Sequence, residues 1–539
     1  MKKIAAGLLI LATVVMILCS AGLSFEQGAW LDGREPGHVY VDTLGTPDEE
    51  VLANVKQTAE FFPQFMAEKF QLKLERPIDI YVGADRGKYE ELLRERMHVS
   101  PETVKEKAQY TSGQSSGSKA MCVINGDKNN LKQNNNRYST TAHELFHQMQ
   151  HELSQGKSSY ENTPYWLEEG SADYAGAVVS EAMGSGSVEK WYLDAKFALQ
   201  YARNPAAVDQ LQQTTEDGRM QLLSGRTKSY DLSDVMTYYL LQQYGAGQPM
   251  QKLGEFFRNL ADDKAETAFA KTFGLEMTDF LQEFSGWWQV ECSHPARFHT
   301  IIRDNVDKTA VNQFMGQLER AESWLKRNSG NSLKGEYQLV FVGTAEDFAA
   351  AEMEYGYISA AEAKSIAAGS VWAENNSTLF INVPQVTDPV QSMFVSAAML
   401  NRLYIVQQLA SDDGNEMAWL IRGASYVAGV ARLAESDQGD IAAYQRYWRK
   451  KLRESQPLPT LDKLATGRAL RDAGKTYDSE RISNLCEYAA AELVQRYGWR
   501  GIYSWLAAAR QSGDGKKAFN QVFGITVTDF AAQVHMLIY

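Results

Sequence analysis

The second half of this chain repeats the first. Trp166-Leu167 with Gly170 returns as Trp419-Leu420 with Gly423, and Tyr244-Gly245 returns as Tyr497-Gly498, in both cases 253 residues later. Phe273-Gly274 with Thr278-Asp279-Phe280 returns as Phe523-Gly524 with Thr528-Asp529-Phe530, 250 residues later. Ahead of these, Ile80-Tyr81-Val82-Gly83 has its counterpart in Val340-Phe341-Val342-Gly343, an apolar strand running into a turn. Four collinear matches at a nearly constant offset imply duplication of a whole domain, and the period is far too long for a solenoid. The chain is therefore expected to fold as two globular units of one architecture, residues 25–295 and 305–539, with the boundary near residues 293–307.

Within each unit, strand-like segments come first and helices follow. Residues 77–83 and 120–125 cluster β-formers between turn signals. The spacing then becomes helical, with Ala142, Leu145, Phe146, Met149 and Leu153 three or four apart on one face. Residues 235–244 read as a helix stopping at Gly245, and residues 269–284 as another. The stretch 125–136, dense in Asn and Lys, reads as a surface loop between strand and helix. The expected fold class is α+β, with a small sheet and a helical half in each tandem copy.

Composition narrows what such units do. Of 539 residues 44% are hydrophobic and 22% charged, enough apolar surface for packed cores. Lys plus Arg number 54 against 67 Asp plus Glu, a net charge of −13 with no Lys/Arg-rich run, which argues against a nucleic-acid partner. At the start, Lys2 and Lys3 precede an uncharged apolar run, residues 4–23, in which Cys19-Ser20-Ala21 offers small residues for cleavage. Residues 1–24 read as a secretory signal, and the same run is long enough for an uncleaved membrane anchor. Either way the remainder is expected outside the cytoplasm, secreted or held at the cell surface. Cys122, Cys292 and Cys486 form an odd, widely spaced set without a CxxC pair, so neither a disulfide framework nor a cysteine metal site is expected. They read as buried small apolar residues, with a Cys122–Cys292 bridge left open.

The first unit carries His143-Glu144-Leu145-Phe146-His147 inside its helical stretch. Residues at i and i+4 stand one above the other on a helix, so both imidazoles face one place. Glu144 lies beside the first histidine, where it can hold and deprotonate a water activated by a metal. Chance alone would give HExxH in about one chain in a hundred of this composition. A third protein ligand is still needed for an open catalytic metal site. A metzincin arrangement would put Gly at 150 and His at 153, where Gln150 and Leu153 stand. The other option is a carboxylate from a second helix, and Trp166-Leu167-Glu168-Glu169-Gly170-Ser171-Ala172-Asp173-Tyr174 offers Glu168 and Glu169.

HExxH followed by this WLxEGxAxY segment resembles the gluzincin clan of zinc peptidases, in particular the peptidase-MA-like and aminopeptidase-N-like families. The resemblance implies a zincin-like domain, one Zn²⁺, and a peptide or protein substrate. It implies Glu169, directly before the glycine, as the third zinc ligand. It also implies that Asp173 fixes the tautomer of a zinc histidine, as in thermolysin-like enzymes. In the aminopeptidase type a tyrosine some sixty residues after the ligand glutamate stabilises the oxyanion. Tyr230 is similarly placed, with Tyr238, Tyr239 and Tyr244 as competitors whose helical spacing suits a core. No clear GxMEN-like segment, used by aminopeptidases to hold a free amine, is present.

The second unit lacks these groups. Opposite Glu169 and Tyr230 stand Arg422 and Ser483, and the segment around Met399-Leu400-Asn401-Arg402 has no histidine pair. Framework residues such as Trp419 and Gly423 are kept while the chemical ones are gone, so the second copy reads as a pseudo-enzyme. Two functions follow as expectations. One is an exported zinc metallopeptidase with Glu144 as base and Tyr230 as oxyanion donor. The other is a cell-surface binding or assembly protein whose second unit docks a partner and whose zinc site is vestigial or structural. His151 extends the histidine face by one turn and is expected at a cleft rim.

Overall fold

The computed structural model describes residues 34–539 apart from 160, 203, 214, 226, 410–416 and 455–457, so the signal or anchor expectation lies outside the described residues. The fold is α+β with two small mixed sheets, one at the start of each half. The first sheet contains β1 (Val39–Leu44), β2 (Ile78–Gly83), β3 (Gly113–Ser116) and β4 (Met121–Asn125) in the order β1-β2-β4-β3. The second contains β5 (Arg297–Ile302), β6 (Glu336–Val342), β7 (Trp372–Asn375) and β8 (Thr378–Asn382) in the order β5-β6-β8-β7. In both, three strands run parallel and the last is an antiparallel edge.

The helical halves also repeat down to their contacts. Trp166 stacks on Phe280 at 5.3 Å and meets the edge of Phe269 at 6.2 Å. Trp419 stacks on Phe530 at 6.0 Å and meets Phe519 at 6.2 Å. Each indole is fully buried, each leaves its Nε1 without a hydrogen-bond partner, and each anchors the core of its own half.

Gly170 and Gly423 mark the tightest helix crossings. A Cβ at Gly170 would lie inside 3.0 Å of the Ser233 carbonyl, and one at Gly423 inside 3.0 Å of the Cys486 carbonyl. Backbone cannot yield as a side chain would, so both positions exclude even a methyl. Gly170→Ala and Gly423→Ala are each expected to destabilise the protein by about 1–3 kcal/mol. Equilibrium urea denaturation reads this, and a neutral result at either glycine would mean that its crossing relaxes.

Several sequence expectations need correction. The stretch 293–307 contains β5, which belongs to the second sheet, so the second unit begins by Arg297. The segment 269–284 is two helices, Ala265–Phe273 and Met277–Ser293, because Gly274 takes φ +79° and closes the first with a left-handed cap. The asparagine-rich loop ends early, since the motif helix already starts at Asn134 (Asn134–Leu153). Cys122, Cys292 and Cys486 are all free, so no Cys122–Cys292 bridge forms. Among the described residues no helix is long and apolar enough to cross a membrane.

The halves share a seam made by the helix Val188–Gln200. Its Phe197 packs edge-on to Tyr337 of β6, and Asp194 accepts a 2.6 Å hydrogen bond from Ser377. Lys196 is buried between Glu291, at 2.6 Å, and Glu336 of β6, at 3.2 Å.

Candidate metal centre

The motif helix and the helix after it, Tyr165–Ala182, cross at Gly176, where an added Cβ would lie inside 3.0 Å of the Ser139 carbonyl. That close approach brings three donors to one point. His143 and His147 have their Nε2 atoms 2.9 Å apart, and Glu169 Oε2 lies 3.4 and 3.5 Å from them. Ligands of a tetrahedral metal with bonds of about 2.0–2.1 Å stand about 3.3 Å apart. The carboxylate therefore sits at the right separation, and the two imidazoles are slightly close.

The outer ring nitrogens decide what the inner ones can do. His143 Nδ1 is 2.7 Å from Asp173 Oδ1, and His147 Nδ1 is 2.7 Å from Gln150 Oε1. The Gln150 amide nitrogen donates to the Glu168 carbonyl and to Ser171, each at 2.9 Å, so only its oxygen can face His147. Both rings thus donate from Nδ1, and in their neutral forms both turn an Nε2 lone pair to one spot. Two lone pairs and a carboxylate oxygen aimed at each other repel unless a cation sits among them. This buried group could hold a metal ion, and its donor set fits a borderline divalent one.

The surrounding charges favour a cation in the same place. Burial works against charging His143, yet the Asp173 carboxylate and its hydrogen bond, with Glu169 beside them, hold its pKa well above the usual histidine value. Burial would raise Glu169, but the two imidazoles outweigh it and keep the carboxyl far below its ordinary range. Glu144 is different. Burial pushes its pKa up to about 7, and its Oε2 has no hydrogen-bond partner. Its carboxylate lies against Gly113 of β3, where a Cβ would stand inside 3.0 Å.

Each predicted residue can now be placed. His143, Glu144, His147, Glu169 and Tyr230 line one cavity of about 40 Å³ beside Tyr165 and Arg219. The Tyr230 ring centroid is 6.4 Å from that of His143. Its competitors lie elsewhere: Tyr238 stacks on Tyr192, while Tyr239 and Tyr244 bond Glu283. Glu168 points away from the donors and pairs with Arg219 at 2.8 Å. His151 lines a groove of about 380 Å³ along β3, which His147 and Glu169 line as well.

Three residues escaped sequence reading. Gln150 was visible only as the residue that breaks a metzincin spacing, although i+3 from His147 places it on the ligand's face. Replacing it with Leu is expected to weaken metal affinity about 10–100-fold, read by competition with a chelating dye. Unchanged affinity would mean that another group sets the tautomer. Asp234 is buried, and burial together with Asp173 lifts its pKa well above the normal range, so it hydrogen-bonds Asp173 as an acid. A signal for it existed: Glu487 stands 253 residues on, a carboxyl at the same place in both copies. Arg219 carried no signal at all.

Comparison of the chain with protein-family models, with curated proteins and with solved structures gave no match.

Proposed function

We propose that this chain is an extracytoplasmic zinc metallopeptidase of the gluzincin type, whose first unit hydrolyses peptide bonds and whose second unit is non-catalytic. The observation that carries the reading is the convergence of His143, His147 and Glu169 with the unpartnered carboxylate of Glu144 beside them. Three protein donors opening onto cavities suit a catalytic centre, because structural zinc sites are closed by four. The groove supports a peptide substrate, since β3 is an edge strand with backbone groups free to pair with an extended chain.

When bound, the metal supplies a Lewis acid and brings the pKa of a water toward neutrality. Glu144 accepts the proton of the attacking water and passes it to the departing amine. Tyr230 donates its hydroxyl to the developing oxyanion; burial first, and the charge of Glu169 next, hold its pKa well above 10, so the proton stays on. Asp173, bonded in turn by Asp234, and Gln150 keep the imidazoles turned toward the centre.

Metal analysis of the protein lacking residues 1–24, beside its Glu169→Ala variant, tests this. One zinc per chain is expected, lost or much weakened in the variant, with cleavage of an unstructured protein substrate lost in parallel. A metal-free wild type after metal-replete purification would overturn the reading and leave a cell-surface binding or assembly role in its place.

A further inference from the structure

A cavity of about 720 Å³ lies in the second unit, where the first unit has its metal centre. The matching positions follow from backbone contacts. Gly429 meets the Phe394 carbonyl as Gly176 meets that of Ser139, so Ala398, Met399 and Arg402 stand where His143, Glu144 and His147 do. Gly423 meets the Cys486 carbonyl as Gly170 meets that of Ser233, which puts Arg422 at the place of Glu169 and Ser483 at that of Tyr230. On the edge strands, Trp372 pairs with Ile381 as Gly113 pairs with Ile124.

The polarity of the cleft is thereby reversed. Two of the three metal ligands have become arginines, and the third a small alanine that opens space. Arg402 is held by Glu374 of β7, whereas Arg422 is exposed on the cavity wall with a 2.7 Å bond to the Ser483 hydroxyl. Glu487, which also lines the cavity, is pushed up to about 7 by burial against the pull of Arg422 and so is largely discharged below neutral pH. Arg471 faces the same cavity from the helix Gly467–Tyr477. The wall opposite is β7, an edge strand that can take up an extended chain through its free backbone groups.

We propose that the cleft of the second unit binds an extended peptide bearing a carboxylate, with β7 pairing its backbone and Arg422 receiving the acid. A planar guanidinium takes a carboxylate through two parallel hydrogen bonds, which a metal-less histidine cleft would not offer. The source of the acid is an aspartate or glutamate side chain or a chain terminus. The inference does not depend on turnover by the first unit.

Calorimetric titration tests it on the full chain carrying Glu144→Gln, so that the probe survives. The probe is a decapeptide of alternating threonine and glutamate, compared at pH 6.5 with its C-terminal amide and with its glutamine counterpart. Binding is expected, weakened at least about tenfold by adding Arg422→Gln, and unchanged by His143→Ala. Loss of affinity with the glutamine peptide assigns the acid to a side chain, and loss with the amide assigns it to the terminus. Arg422 is exposed, so the variant should melt with the parent; should it not, Arg422→Lys supplies the comparison. No binding, equal affinity for all three peptides, or loss through His143→Ala while the Arg422 variants bind normally would overturn the proposal.

Discussion

Glu144→Gln should cut turnover by about 10²- to 10⁴-fold while leaving one zinc per chain. The amide has the shape of the carboxylate but cannot accept a proton. Shape matters here, because the side chain fills the space left by the missing Cβ of Gly113 and has no room to grow. Charge matters too. Glu144 Oε2 has no protein partner, so the substitution breaks no hydrogen bond of that atom and leaves His143, His147 and Glu169 as they were. Steady-state hydrolysis of an unstructured protein, with metal content measured on the same preparation, separates base from ligand. A variant that keeps both metal and turnover would remove Glu144 from the chemistry.

Lys196→Met is the second large effect, expected to destabilise the protein by about 3–5 kcal/mol. The ammonium is almost fully buried at the seam, shared by Glu291 at the end of the first unit and Glu336 in β6 of the second. Arg297 of β5 reaches the same two carboxylates, at 3.3 and 2.8 Å. Methionine keeps most of the volume and removes the charge, leaving two half-buried carboxylates to one exposed guanidinium. Urea denaturation, followed by tryptophan fluorescence and circular dichroism, reads the loss. A change under about 1 kcal/mol would mean that water already solvates the cluster.

What sequence revealed and what it concealed divide along a physical line. The histidine pair lies on one helix at i and i+4, a spacing that can be read directly, whereas Glu169, Asp173 and Tyr230 were expected only through the resemblance to the gluzincin pattern. The duplication was visible because Trp166 and Trp419 sit in the same aromatic cage, and a cage demands the same side chains wherever it is rebuilt. Arg219 and the Lys196 cluster depend on contacts between distant segments, such as Arg219 with Glu168, 51 residues apart. No local pattern encodes them. Gly274 was misjudged for a related reason: the apolar period carries across it, while its positive φ breaks the helix.

The tryptophan on β7 has a consequence for the history of the chain. Where the first copy keeps a glycine so that a carboxylate can stand, the second has an indole, half-buried in the cleft. Restoring histidines at Ala398 and Arg402 and a glutamate at Arg422 would rebuild the three donors, yet Trp372 would still stand where Gly113 leaves room for the Glu144 carboxylate. Rebuilding the donors on the helices would therefore leave the base without a place to stand until the edge strand changed as well.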